Sequence, residues 1–148
     1  MIINDSLNFI AGELNQHFKS SFNLSEDKVI VSNVVNHDGS IPIVFEDKVG
    51  ITFINIESLE TNGSKDLHLN ILISSNFNDY QESLKFLSQV ILFFKKSFEF
   101  TKVDYPGIGN NTTKISLELY KTDFEILKHF GLKAIPSINY KVQLLTTE

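Results

Sequence analysis

The chain has 148 residues, enough for one domain to bury ~70% of its unfolded surface without a disulfide or metal. It has no cysteine, which excludes disulfides, cysteine-ligated zinc and thiol nucleophiles and fits a reducing compartment. Net charge is −5, and all 13 cationic residues are scattered lysines, so there is neither the basic patch that nucleic acid needs nor the arginine that builds bidentate clamps.

Met1-Ile2-Ile3-Asn4-Asp5 has no basic n-region and no long apolar h-region. No apolar run approaches the ~20 residues of a membrane span. The expectation is a single domain over residues 1–148, cytoplasmic, without a secretory signal or membrane insertion. Asn4 to Lys19 predicts an amphipathic helix, with Ile3, Leu7, Ile10, Ala11, Leu14 and Phe18 on one face and Asn8, Glu13, Asn15 and Gln16 opposite. Ser20 to Glu26 reads as a turn. Lys28 to Val35 is a β-branched run and predicts a strand. Asn36 to Ser40 is a turn cluster, and Pro42 limits Ile43-Val44-Phe45 to a short edge piece.

Val49 to Ser58 predicts a strand that is apolar on both faces, with Val49, Ile51 and Phe53 on one and Ile54 and Ile56 on the other. Apolar residues on both faces imply a central strand, or one that packs an oligomer on its second face. Leu59 to Asp66 is a polar connection around Asn62-Gly63, a strong hairpin signal, so antiparallel pairing with Leu67–Ser75 is expected. In that strand Leu67, Leu69, Ile71 and Ile73 share a face. Asn78 reads as the N-cap of a second helix. Tyr80, Leu84, Leu87, Ile91, Phe94 and Phe98 form its helical stripe, widened by Phe86, Val90 and Phe93. Leu87 and Ile91 are expected to be fully buried. Leu92 stands alone in the polar arc between Lys85, Ser88 and Lys96.

Thr101 to Thr113, with Pro106, Gly107 and Gly109, reads as a loop without a core pattern. Lys114 to Tyr120 alternates, with Ile115, Leu117 and Leu119 inward. Thr122-Asp123-Phe124-Glu125 has the capping-box form and predicts a short helix stopped by Gly131, with Phe124, Leu127 and Phe130 inward. Ser137 to Leu145 closes the chain as a strand, with Ile138, Tyr140, Val142 and Leu144 on one face and Asn139, Lys141 and Gln143 on a solvated one. The fold class expected is α/β in the α+β sense: a mostly antiparallel mixed sheet of four to five strands flanked by helices.

Catalytic patterns are missing. His17, His37, His68 and His129 show no ligand spacing, and Gly107-Ile108-Gly109 lacks the third glycine and the helix of a nucleotide fingerprint. There is no nucleophile elbow. The carboxylate pairs Glu46-Asp47 and Glu57/Glu60 lie on turn-like segments where solvated carboxylates are the rule. The expectation is therefore no enzyme, no metal and no cofactor.

Two blocks carry a resemblance. One is Leu69-Asn70-Ile71-Leu72-Ile73-Ser74-Ser75-Asn76-Phe77 followed by Tyr80 to Phe94. The other is Ile115-Ser116-Leu117-Glu118-Leu119, then Phe124-Glu125-Ile126-Leu127, then Pro136-Ser137-Ile138-Asn139-Tyr140-Lys141-Val142. Together with the first helix and Val49 to Glu57, they resemble the tail-terminator (cap) proteins of phage-tail-like contractile injection systems, over about residues 3 to 147. Relatives often carry a longer Pro-containing arm where this chain has Leu59 to Asp66, and many continue into a second domain.

The resemblance implies a homohexameric ring that sits on the inner tube protein, contacts the sheath protein and ends polymerisation, incorporated into an injection-system particle. Such a ring needs surface that the monomer leaves unpaired, and the candidate interface residues are the polar connection Leu59, Glu60, Thr61, Asn62, Gly63, Ser64, Lys65 and Asp66, where the family places its longer arm; Leu92, isolated in the polar arc of the second helix; Asp104 and Tyr105 in the second loop; and Asn139, Lys141 and Gln143 on the last strand. The alternative is a small ligand-binding or enzymatic α+β domain.

Overall fold

The computed structural model describes residues 2–33, 35–59, 66–121, 125, 128 and 135–146. In chain order it contains α1 (Ile2–Phe22), β1 (Val29–Val31), β2 (Lys48–Leu59), β3 (Asp66–Asn76), α2 (Tyr80–Lys96), β4 (Glu99–Thr101), β5 (Thr112–Tyr120) and β6 (Ser137–Thr146), with 3₁₀ turns at Ile43–Phe45 and Pro106–Ile108. The strands form one sheet in the order β1-β2-β3-β6-β5-β4. Among the described residues only β1 and β2 pair in parallel; the other neighbours are antiparallel. The α+β class and the mostly antiparallel sheet are as the sequence predicts, with the three-residue β4 as an additional edge strand inside a stretch that reads as helix end and loop.

Both helices cover the same face of the sheet. Leu7, Ile10, Leu14 and Phe18 of α1 and Phe86, Val90 and Phe94 of α2 share a core with Val49, Ile51, Leu69, Ile71, Ile73, Ile115, Leu117, Tyr140, Val142 and Leu144. The helices meet through rings. Phe86 stacks on Phe77 at 4.4 Å and meets Phe22 at 4.8 Å and Phe18 edge-on at 5.1 Å. Such pairs add ~0.5–1.5 kcal/mol each beyond the area they bury.

Local chemistry sets the helix limits. α1 runs past Lys19 to Phe22, with Asp5 in its first turn and Lys19 in its last, both suited to the helix dipole. It ends with Asn23 at φ 55° and a bond from the Leu24 amide back to the Lys19 carbonyl at 3.2 Å, a Schellman closure. The N-cap of α2 is Asp79 rather than Asn78, its carboxylate accepting from the Gln81 amide at 3.0 Å.

The buried seam of α2 takes up only one side of the predicted stripe. Ser83, Phe86, Leu87, Val90 and Phe94 are buried. Ile91 is only partly buried, and Tyr80, Leu84 and Phe98 are 62%, 40% and 51% exposed. The apolar arc is wider than one sheet face can cover. α1 takes its Phe86 side through Phe18 and Phe22, and the Tyr80–Leu84–Ile91 side is left uncovered.

Asn15 corrects the polar face assigned to α1. It is buried, and its side chain ties the helix to β1: Oδ1 accepts from the Lys28 and Val29 amides at 2.9 and 2.8 Å, and Nδ2 donates to the Val29 carbonyl at 3.0 Å. β1 is three residues long instead of eight, because the chain leaves the sheet after Val31 to cross its other face. There Ile43–Phe45 is a 3₁₀ turn, not an edge strand, and Phe45 is sealed over Leu72, with Ile30, Ile54 and Ile135 around it. The Asn76 side-chain amide donates to the Phe45 carbonyl at 3.1 Å. The Thr122–Gly131 helix lies outside the described residues except for Glu125 and Lys128, both helical.

β2 and β3 pair antiparallel as expected, from Lys48↔Asn76 to Leu59↔Leu67, with register shifts after Phe53 and after Ile56. The central strand is β3, buried on both faces from Leu69 to Ser75. The register shift after Phe53 separates the two residues expected to share the second face: Ile54 packs there beside Phe45 and Leu72, whereas Ile56 is turned to the helix-covered face opposite Leu69 and is left 47% exposed.

Candidate functional site

The far end of the β2–β3 ribbon faces the polar side of β6. Lys141, near the middle of β6, reaches across β3 to Glu57 at 3.0 Å and holds its ammonium 4.8 Å over the Tyr120 ring. The hydrogen bond with Glu57 raises the Lys141 pKa, against an opposing desolvation, which favours the ammonium form. Gln143 donates to the Asp66 carboxylate at 2.9 Å. Asn70, between them on β3, donates to Asn55 Oδ1 at 3.0 Å. Beside these pairs lies a shallow groove of about 290 Å³ between β5 and β6, lined by His68, Phe98, Ser116, Leu117, Glu118, Lys141 and Gln143.

The residues singled out in the sequence fall into three groups. Glu60, Thr61, Asn62, Gly63, Ser64 and Lys65 lie outside the described residues; Leu59 and Asp66 flank them at the ribbon end. Asp66, Lys141 and Gln143 are brought together by the β3–β6 register, in which Asp66 pairs with Leu145 and His68 with Gln143. Leu92 stands apart, 56% exposed on α2.

Two of these placements differ from the reading of a solvated strand face and a coreless loop. Asn139 is 2% exposed, directly opposite Leu72, and so is not on a solvated face. Among the described residues its side-chain oxygen and that of Asn70 are buried without a hydrogen-bond partner. The 101–113 connection is anchored: Ile108 is fully buried, and the Tyr105 ring packs edge-on against Phe100 at 5.1 Å and Phe9 at 5.8 Å. Asp104 remains exposed, beside the Thr101 hydroxyl at 3.3 Å.

Sequence reasoning missed the apolar residues that the fold leaves outside. Leu119 has the alternation of an inward residue yet is 57% exposed and lies outside the core that holds Ile115 and Leu117. Ile43 at 81%, Val44 at 63% and Val103 at 90% protrude from turns. Among the described residues no group of three or more His, Cys, Asp and Glu could hold a metal, and no helix is long and apolar enough to cross a membrane.

No family model matches the chain, and no curated protein matches it. Among solved structures it is similar to the anti-feeding prophage cap (AFP tube terminating cap), seen by cryo-electron microscopy, at a TM-score of 0.45 and 14% identity. The similarity covers 99% of this chain and 54% of that one, so the chain spans about half the length of that protein.

Proposed function

We propose that this chain is a structural assembly subunit and not an enzyme: a tail terminator that forms a ring on the inner tube of a contractile injection system. In this reading six copies close the ring, which rests on the tube protein, meets the sheath protein and stays in the particle. The observation that carries it is the amount of large apolar side chain left uncovered on so small a fold. Leu84, Leu92 and Phe98 along and after α2, Leu119 on β5 and Ile56 on β2 are all 40% exposed or more. In this reading they are the side chains that neighbouring subunits, tube or sheath cover, as contiguous apolar surface at an interface is covered. The two sequence blocks that resemble the tail-terminator family supply the kind of assembly.

The groove beside His68 and Glu118 favours a second reading, a ligand-binding domain. Against it, the cation and the amide that line the groove are already engaged, Lys141 with Glu57 and Gln143 with Asp66. The test of the terminator reading is replacement of Asn62–Lys65 by Gly-Gly. The variant should stay folded while particles assembled with it carry tubes of uncontrolled length. Particles of uniform, capped length would remove the ribbon end from the mechanism, and binding of a small molecule abolished by His68→Ala would turn the assignment to the groove.

A further inference from the structure

The two strands that flank the 59–66 connection are both tied to one face of β6. Lys141 reaches over β3 to the Glu57 carboxylate on β2 at 3.0 Å. Two residues further along β6, Gln143 donates to the Asp66 carboxylate at the start of β3 at 2.9 Å. Residues two apart on a strand share a face, so both ties leave β6 on the side away from the helices. The Tyr120 ring on β5 lies 4.8 Å from the Lys141 ammonium and holds it from the opposite side.

These ties act where the strand ladder is weakest. β2 shifts register against β3 after Phe53 and again after Ile56, beside Glu57. A shift of that kind leaves a residue without a ladder partner, bends the strand and raises its twist. Past the second shift, β2 and β3 pair only through Ser58↔His68 and Leu59↔Leu67. β1 pairs with β2 no further than Ile51, so among the described residues this end of β2 has no outer neighbour. The first shift also decides the side on which Glu57 stands. Phe53 is opposite Ile71, on the helix-covered face. Strict alternation would put Glu57, four residues on, on that same face. The shift turns it to the other face, within reach of Lys141.

We propose that Lys141 and Gln143 are positioning residues: together they hold the bulged end of the β2–β3 ribbon against β6 and set the direction in which the 59–66 connection meets the tube. This inference rests on the terminator reading above and names the side chains that aim its contact. It gives both residues an internal role, because their polar ends are already engaged with the ribbon. One tie of this kind biases a local equilibrium a few-fold, and two acting in parallel bias it roughly tenfold.

The test is amide hydrogen exchange of the full chain carrying Lys141→Met and Gln143→Met, which keep the side-chain length and remove the polar ends. Exchange at residues 58, 59 and 66 to 68 should become roughly tenfold faster, while Ile71, Ile73, Leu117 and Val142 keep the parent's rates and the melting temperature stays within about 3 °C. Lys141→Arg, which keeps a charged donor, should exchange like the parent. So should Lys114→Met, which removes the separate Lys114–Glu99 pair between β5 and β4. Particles assembled with the double variant should carry a wider spread of tube lengths. If that variant fails to fold, Glu57→Gln with Asp66→Asn weakens the same ties from the ribbon side and gives the same readout. Exchange that is unchanged at residues 58 to 68, or that rises equally throughout the sheet, overturns the proposal. Fast exchange at the ribbon with uniform tube length, where replacement of Asn62–Lys65 spreads the lengths, overturns the aiming role and leaves the terminator reading standing. Uniform length in both removes the ribbon end from the tube contact, and the aiming role with it.

Discussion

Gly50→Ala should destabilise this protein, although the same change in an open strand would stabilise it. In an unobstructed strand, alanine gains ~0.5–1 kcal/mol over glycine by losing less conformational freedom on folding. Here a Cβ at position 50 would stand 2.7 Å from Phe45 Cε1 and 3.1 Å from Cδ1, inside van der Waals contact. The ring cannot swing away, because Phe45 is 0% exposed and packs on Leu72. Overpacking of that kind costs ~1–3 kcal/mol, which exceeds the entropy gain and leaves a net loss of ~1–2 kcal/mol. For a chain of this size that is a fall of ~2–8 °C in Tm. Urea melts of the parent, Gly50→Ala, Phe45→Leu and the double variant form a cycle. Phe45→Leu alone should cost ~1–2 kcal/mol, and Gly50→Ala in that background should be neutral or stabilising, a coupling of ~1–3 kcal/mol. Equal effects of Gly50→Ala in both backgrounds would refute the reasoning, since the clash would then not be with the ring.

Asn15→Ala should be among the most costly single changes, ~3 kcal/mol or more by denaturant melt, because it strands the Lys28 and Val29 amides and the Val29 carbonyl near the core. Leu87→Ala should cost ~2–4 kcal/mol, and Ile91→Ala clearly less, since only Leu87 is buried; equal losses would place the seam of α2 back on the stripe. Burial raises the Tyr140 phenol to about 12. Its folded pKa exceeds the unfolded value near 10, so its contribution is complete below pH ~10 and is lost as pH rises through the folded value. The raised Lys141 pKa acts in the same direction. Tyr140→Phe should therefore flatten the loss of stability above pH 10, measured by thermal melts across pH 8–12, while changing little at pH 7.

The sequence by itself determined the elements whose side-chain period is long and uniform. The alternation of Ile138, Tyr140, Val142 and Leu144 and that of Leu69, Ile71 and Ile73 each leave one register that buries them, and the β3–β6 pairing is that register. Only the tertiary structure decided how much of each apolar arc would be covered. The period of α2 shows a broad apolar stripe but not which part of it is covered; a sheet face and one neighbouring helix cover a limited arc, and Tyr80, Leu84 and Phe98 were left outside. Asn15 read as surface because a polar side chain on a helix gives no sign of the distant backbone it will meet at Val29. The same holds for two apolar residues left open at the margins of the helix-covered face. Leu119 and Phe53 lie 66 positions apart, and each alternates like a core residue. That they end one row at opposite margins follows from three successive strand pairings, which no local pattern encodes.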